Sequence, residues 1–292
     1  MAARPRTLPA AIAPVLVGTA AVVALADKLP RVGAFAAALV GSIFIQIGTN
    51  LVNDYSDAKR GADTADRLGP VRVTSAGLVA PRSVLVATWV AFAIAVAAGV
   101  YLATVAGPII LAVGAVSILA GVLYTGGPRP YGYAGLGEVF VFLFFGLVAV
   151  NGSYYVQLEE LDWLPFGLSI SIGALSTAIL VVNNIRDIDT DRRAGKNTLA
   201  VRLGRERMRR FFVALIALAY LALPLTLLAA DEAPSGRWCA MLGFLSIPLA
   251  FPAAQPVLTR TDGPALNGAL ARTGALLAAF SVLVSAGLLI SA

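Results

Sequence analysis

Two stretches of this 292-residue chain combine carboxylates, carboxamides and cations at helical spacing. The first, QIGTNLVNDYSDAKRGAD, puts Asn50, Asn53, Asp54 and Asp57 at i, i+3, i+4 and i+7, on one helix face, with Lys59, Arg60 and Asp63 following. The second, VVNNIRDIDTDRRAGKNTLAVRLG, puts Asn183, Asp187 and Asp191 at i, i+4 and i+8, with Arg192, Arg193 and Lys196 after them. Asp189 falls off that face. Asn53-x-x-x-Asp57 and Asn183-x-x-x-Asp187 repeat one pattern.

Carboxylates converging from two helices need partners. Two like charges about 4 Å apart repel by roughly 4 kcal/mol at an effective dielectric near 20. Hard oxygen donors favour Mg2+, which binds through one or two carboxylates and completes its shell with water and phosphate oxygens. The expected metal ligands are therefore Asn50, Asn53, Asp54, Asp57, Asn183, Asp187 and Asp191, with the choice between Asp54 and Asp57 open. The adjacent groups Asn53, Lys59, Arg60, Asn183, Arg192 and Lys196 are expected to hold the phosphate oxygens. The chemistry predicted is a Mg2+-bound diphosphate clamped between two acidic helix ends. Charged residues just past a membrane helix are commonly only solvated. Here Asn and Asp reach back into an apolar segment twice, and intramembrane polar groups are costly and usually functional.

The elements that carry these groups follow from composition. The chain is 59% hydrophobic and 13% charged, whereas a soluble domain carries about 25% charged residues. It reads as an all-α integral membrane protein. There is no histidine and one cysteine, Cys239. That excludes bis-histidine haem, cysteine metal clusters and an internal disulfide, and removes the commonest general base. The net charge of +6 is explained by membrane orientation, so no nucleic-acid partner is expected. Charge-free runs place spans at 8–26, 32–53, two within 83–128 with a turn at 106–110, then 139–158, 163–185, 211–230, 238–259 and 273–292. These make nine transmembrane helices. The first exceeds the 7 to 15 apolar residues of a signal peptide and is read as a span. With the N-terminus cytoplasmic, 19 of the 22 Lys and Arg residues fall on the inner side, as the positive-inside rule demands. Both acidic clusters are then cytoplasmic. The repeated motif suggests one domain, 1–292, of two four-helix halves and a ninth helix. Oligomeric state is not legible.

At these motifs the chain resembles the UbiA superfamily of membrane prenyltransferases, whose members carry N-x-x-x-D after the second helix and D-x-x-x-D after the sixth. Asn53, Asp57 and Asp63 match the first, Asp187 and Asp191 the second. The resemblance spans nearly the whole chain. Five stretches, ARPRTLPAAIAPVLVGTA, NLVNDYSDAKRGADT, GPVRVTSAG, YTGGPRPYGYAGLGEVFVFLFFG and NNIRDIDTDRRAGKNTLAVRLG, resemble the members acting on 1,4-dihydroxy-2-naphthoate. This implies a nine-helix UbiA-type bundle around a central cavity in the cell membrane. It implies a polyprenyl diphosphate donor lying in membrane lipid, Mg2+ as cofactor, and transfer to the ring with loss of CO2 and diphosphate. The product would be demethylmenaquinol, on the route to menaquinone. Catalysis would then rest on Asp57, Asp63, Asp187, Asp191 and Tyr124. Tyr124 would shield an allylic cation, with Phe140, Phe142, Phe144 and Phe145 as weaker options. A packing role for the Phe run and an interfacial role for Tyr124 stay open. Arg129, in the turn YTGGPRP, would approach the phosphates. Asp63 or Glu138 would assist the acceptor hydroxyl, and Arg72 or Arg4 would meet its carboxylate. Another aromatic acceptor, such as 4-hydroxybenzoate or homogentisate, remains open. A CDP-alcohol phosphotransferase would need its acids in one continuous stretch. An anion transporter would need its charges near the bilayer midplane.

Overall fold

The computed structural model describes residues 4–26, 29–62, 68–230 and 235–291. Asp63 lies outside the described residues. Among those residues there are helices and turns but no strand. Helices satisfy every backbone N–H and C=O internally, as a hydrocarbon environment requires.

A 3-10 turn, Pro5–Thr7, leads into α1 (Pro9–Ala26), α2 (Val32–Lys59), α3 (Pro81–Ala106) and α4 (Ile109–Leu123). A second such turn, Tyr131–Ala134, precedes α5 (Gly137–Val141), a π-helical stretch Phe142–Val148 and α6 (Ala149–Leu158). Then come α7 (Trp163–Arg193), α8 (Leu199–Leu203), α9 (Arg205–Ala229), a 3-10 stretch Ser235–Ser246, α10 (Ile247–Thr259) and α11 (Gly263–Ile290). Among the described residues, eight helical segments are long and apolar enough to cross a membrane. The shorter apolar helix α4 has 15 residues and spans about 22 Å.

The central helix is α7. Of its most apolar stretch 78% is buried inside the bundle, against 22% for α2. Around it pack α1, α9 and α11, while α2, α3 and α4 pack on one another and form the opposite wall.

Both motif-bearing helices outrun the hydrocarbon. The 31 residues of α7 span about 46 Å and the 28 of α2 about 42 Å, against a core of about 30 Å. The expected spans stopped at 53 and 185, yet the helices continue to Lys59 and Arg193, so the acidic motifs are helical. Aspartates near a helix C-terminus oppose its dipole. In α7 the basic residues Arg192 and Arg193 of the last turn offset this. Each helix stops at a left-handed glycine just past its cap, Gly61 (φ 66°) and Gly195 (φ 72°), a conformation that glycine adopts without steric cost.

Two other spans depart from the expectation. The segment expected as one helix over 238–259 is broken, because its first part winds as the tighter 3-10 form and α10 carries Pro252 and Pro256 inside it. The segment Gly137–Leu158 contains the π-helical stretch, which runs against α7 at a glycine pair. A β-carbon on Gly146 would lie 2.7 Å from the Gly173 Cα and 2.7 Å from the Ser169 carbonyl oxygen, both backbone atoms. Gly146→Val is expected to lower the thermal midpoint clearly, overpacking costing about 1–3 kcal/mol or more. Gly152→Ala is the control, since a β-carbon there meets nothing within 4 Å. Equal midpoints in detergent for both variants would contradict this packing.

Candidate active site

One cavity of about 340 Å³ runs from the charged ends of α2 and α7 into the apolar interior. Its mouth is walled by Asn53, Asp57, Arg72, Asp187, Asp191 and Lys196, and its depth by Ile110, Val113, Phe144 and Val148.

On α2, Asp57 is buried and receives three donors. Its Oδ2 accepts from an Arg72 guanidinium nitrogen at 3.0 Å and from Lys196 Nζ at 3.3 Å; its Oδ1 accepts from the Tyr133 hydroxyl at 2.6 Å. Asn53 Oδ1 accepts from Thr125 Oγ1 at 2.8 Å. Asp54 accepts the backbone N–H groups of Val73 at 3.2 Å and Thr74 at 3.0 Å. It therefore ties down the loop that delivers Arg72.

On α7 the arrangement is tighter. Arg186, 1% exposed, donates from Nε and Nη2 to the two carboxylate oxygens of Asp187 at 2.8 and 2.6 Å. The same guanidinium reaches Asn183 Oδ1 at 2.8 Å and Asn267 Oδ1 at 2.7 Å. Such a bidentate, charge-assisted pair fixes geometry as well as charge. Lys196 joins the two halves. Its Nζ lies 3.3 Å from Asp57 and 4.0 Å from Asp191, and 4.9 Å from the centre of the Tyr133 ring. The turn after α7 places it, with the Lys196 N–H donating to the Asp191 carbonyl at 2.9 Å.

Deeper in, four rings line up. Tyr124 meets Tyr131 edge-on at 5.5 Å, Tyr131 stacks on Phe140 at 4.0 Å, and Phe140 on Phe144 at 6.1 Å. Tyr131 donates to the Ala120 carbonyl at 2.8 Å, and burial pushes its phenol above the ordinary value. Cations at the mouth suit an anionic group, and aromatic faces further in attract positive charge. The cavity is thus built to separate charge within one substrate.

The profile of the UbiA prenyltransferase family matches residues 11–267. The chain belongs to that family. The 1,4-dihydroxy-2-naphthoate octaprenyltransferase of Mycobacterium tuberculosis is 44% identical over 286 residues, covering 98% of this chain and 94% of that protein. The enzyme of the same name from Escherichia coli is 38% identical, covering 94% and 90%. Among solved structures, the apo UbiA homologue from Aeropyrum pernix K1 superposes with a TM-score of 0.69 at 14% identity, covering 98% and 96%. A UbiA homologue from Archaeoglobus fulgidus bound to GPP and Mg2+ gives 0.65 at 14% identity, covering 97% and 98%. This prenyltransferase therefore has the expected membrane-helical UbiA fold.

Within this UbiA chain the expected residues divide. Asn50, Asn53, Asp57, Asn183, Asp187 and Asp191 share the cavity wall, as do Lys196, Arg72, Arg4 and Tyr124. Of the phenylalanines, Phe140, Phe144 and Phe145 line it. Phe142 instead fills the space beside Gly173. Asp54 is not on the wall: its carboxylate is used on the 73–74 backbone. Lys59, Arg60, Arg129 and Arg192 are exposed and also off the wall. At about 100° per residue, Lys59 stands roughly opposite Asp57 on α2, and Arg192 is a quarter-turn from Asp191. Arg60 turns to the Gly127 carbonyl, and Arg192 pairs with Asp189 at 3.6 Å. Glu138 is buried behind the wall, with Oε1 accepting from Asn184 Nδ2 at 2.9 Å and Oε2 without a partner.

The expectation missed Arg186, Tyr133, Thr125, Asn184 and Asn267. Arg186 had a signal, a cation directly before Asp187 in an otherwise apolar helix. Tyr133 and Asn267 had none. The donor set is suited to a hard divalent ion. It offers carboxylate and carboxamide oxygens from two sides, and among the described residues no three carboxylates converge. Mg2+ needs no more than one or two, taking water and phosphate oxygens for the rest.

Proposed function

We propose that this chain transfers a polyprenyl group from polyprenyl diphosphate to 1,4-dihydroxy-2-naphthoate, releasing CO2 and diphosphate and giving demethylmenaquinol for menaquinone synthesis. The observation that carries the reading is the joining of a cation-rich mouth to an aromatic and then apolar interior in one cavity. The names and identities of the curated relatives support the acceptor.

The donor's diphosphate lies at the mouth, where Arg72 and Lys196 take its negative charge as the C1–O bond breaks. When bound through Asp57, Asp187 and Asp191 with Asn53 and Asn183, Mg2+ supplies further charge neutralisation to the leaving group. Tyr124 and the row of rings that begins with Tyr131 face the positive charge that develops on C1. The electron-rich ring forms the new C–C bond. Its carboxylate leaves as CO2 and the bonding pair stays with the ring, so no net proton is consumed and no histidine is required. Arg4, also on the cavity wall, would meet that carboxylate, with Arg72 bridging it to the diphosphate. The prenyl chain follows Phe144 and Val148 inward, its burial worth about 0.8 kcal/mol per CH2. The distribution of basic residues supports a cell membrane enzyme with its mouth on the cytoplasmic side.

Purified protein in liposomes, given a polyprenyl diphosphate, Mg2+ and dihydroxynaphthoate, is expected to release CO2 and a prenylated naphthoquinol, read by mass spectrometry. Product only with 4-hydroxybenzoate or homogentisate would replace the acceptor. Product formation at full rate in chelator would remove Mg2+. Within this reading Tyr124→Phe keeps the ring and is expected to stay within about threefold of the wild-type kcat. Tyr124→Leu removes a cation–π contact of about 2 kcal/mol and is expected to lose about thirtyfold. Equal rates for the two variants would take Tyr124 out of cation stabilisation.

A further inference from the structure

Asn267, half-buried near the start of α11, is not on the cavity wall, yet its side chain touches both halves of the site. Its Oδ1 accepts from Arg186 Nη1 at 2.7 Å, and Arg186 holds both oxygens of Asp187. Its Nδ2 donates to the Leu68 carbonyl at 2.9 Å. Leu68 opens the loop 68–80, which carries Arg72 onto Asp57 at 3.0 Å and is fixed again by Asp54 at Val73 and Thr74. The loop lies directly on α11, where a β-carbon on Gly263 would sit 3.0 Å from the Leu68 Cβ. One carboxamide thus uses its acceptor on the second acidic helix end and its donor on the loop that follows the first.

We infer that Asn267 is a positioning residue that latches the 68–80 loop over the mouth and couples its closure to the orientation of the Arg186–Asp187 pair. The inference rests on the reading of the mouth as a diphosphate site. A carboxamide suits the task because it offers an acceptor and a donor from one rigid plane. Closure of the loop brings Arg72 to Asp57 while Arg186 is held on Asp187, so both halves are ready for the anion together.

The test separates the two arms. Trypsin can cut after Arg72, which is 8% exposed, only when the loop lifts. The cutting rate therefore follows the opening equilibrium. In ligand-free protein, Asn267→Leu keeps the side-chain size but loses both hydrogen bonds, and its cleavage after Arg72 is expected to be about tenfold faster than wild type. Asn267→Asp still accepts from Arg186 but cannot donate to Leu68, so its cleavage should rise similarly. In turnover, Asn267→Leu should raise the donor KM about fivefold and lower kcat as well, while Asn267→Asp, which frees the same loop but keeps its acceptor on Arg186, should raise KM to a smaller extent. Cleavage at the wild-type rate in both variants overturns the latch. So does a donor KM that stays at the wild-type value in both. If Asn267→Leu cannot be purified folded, unchanged cleavage in Asn267→Asp alone is sufficient to overturn it. A wild-type protein that makes no prenylated product sinks the functional reading instead, and leaves the ligand-free cleavage comparison standing.

Discussion

Substituting Asp57 by asparagine is expected to lower kcat/KM for the prenyl donor between about a hundredfold and a thousandfold, the range for losing one preorganised charge-stabilising group. Asp57 is the point on which Arg72, Lys196 and Tyr133 converge, at 3.0, 3.3 and 2.6 Å. Its charge keeps two buried cations in place. Asparagine preserves the shape and one acceptor but removes that charge. The cations then repel each other and lose their fixed positions at the mouth. The loss should fall on kcat as well as KM, because the same cations meet the developing charge of the leaving group. Steady-state kinetics in proteoliposomes at saturating Mg2+ decides the matter. A variant within a few-fold of wild type removes Asp57 from the site and leaves the clamp without its first half.

Asp187→Asn should fail differently, in stability as well as in turnover. Arg186 is 1% exposed and both oxygens of Asp187 sit on it. Removing one member of a buried ion pair leaves an uncompensated charge, typically costing about 3–5 kcal/mol. Asn183 and Asn267 still accept from Arg186, so the protein is expected to fold with a lowered thermal midpoint and with kcat/KM down at least about a hundredfold. Replacing the whole pair by apolar groups is often neutral for stability. The double variant Arg186→Met with Asp187→Leu should therefore recover much of the midpoint but none of the activity. Activity returning with stability would mean that the pair serves folding alone.

The helices, the two motifs and their common face were legible because apolar periodicity and the cost of intramembrane charge leave a direct trace in residue order. Gly61 and Gly195 mark the helix ends as plainly. What residue order does not carry is which side of a helix meets a cavity once the chain has left the membrane. Asp54 and Asp57 are the same residue type three positions apart, but only the packing of the 68–80 loop sends one to the backbone of Val73 and Thr74 and leaves the other at the mouth. Lys59, Arg60, Arg129 and Arg192 looked suited to phosphate from their charge alone, and helical phase or turn geometry sends them outward. Asn267 lies 199 residues from Leu68. A contact over that distance leaves no mark on a single sequence.

On the proposed reading, the overshoot of α2 and α7 beyond about 30 Å of hydrocarbon sets the site at a phase boundary. Diphosphate formed there is released into water, while the prenylated product stays anchored in oil by its chain. The two products diffuse in spaces of different dimension, one in three and one in two. They seldom meet again at the mouth, and the reverse reaction is suppressed by geometry as well as by bond energy.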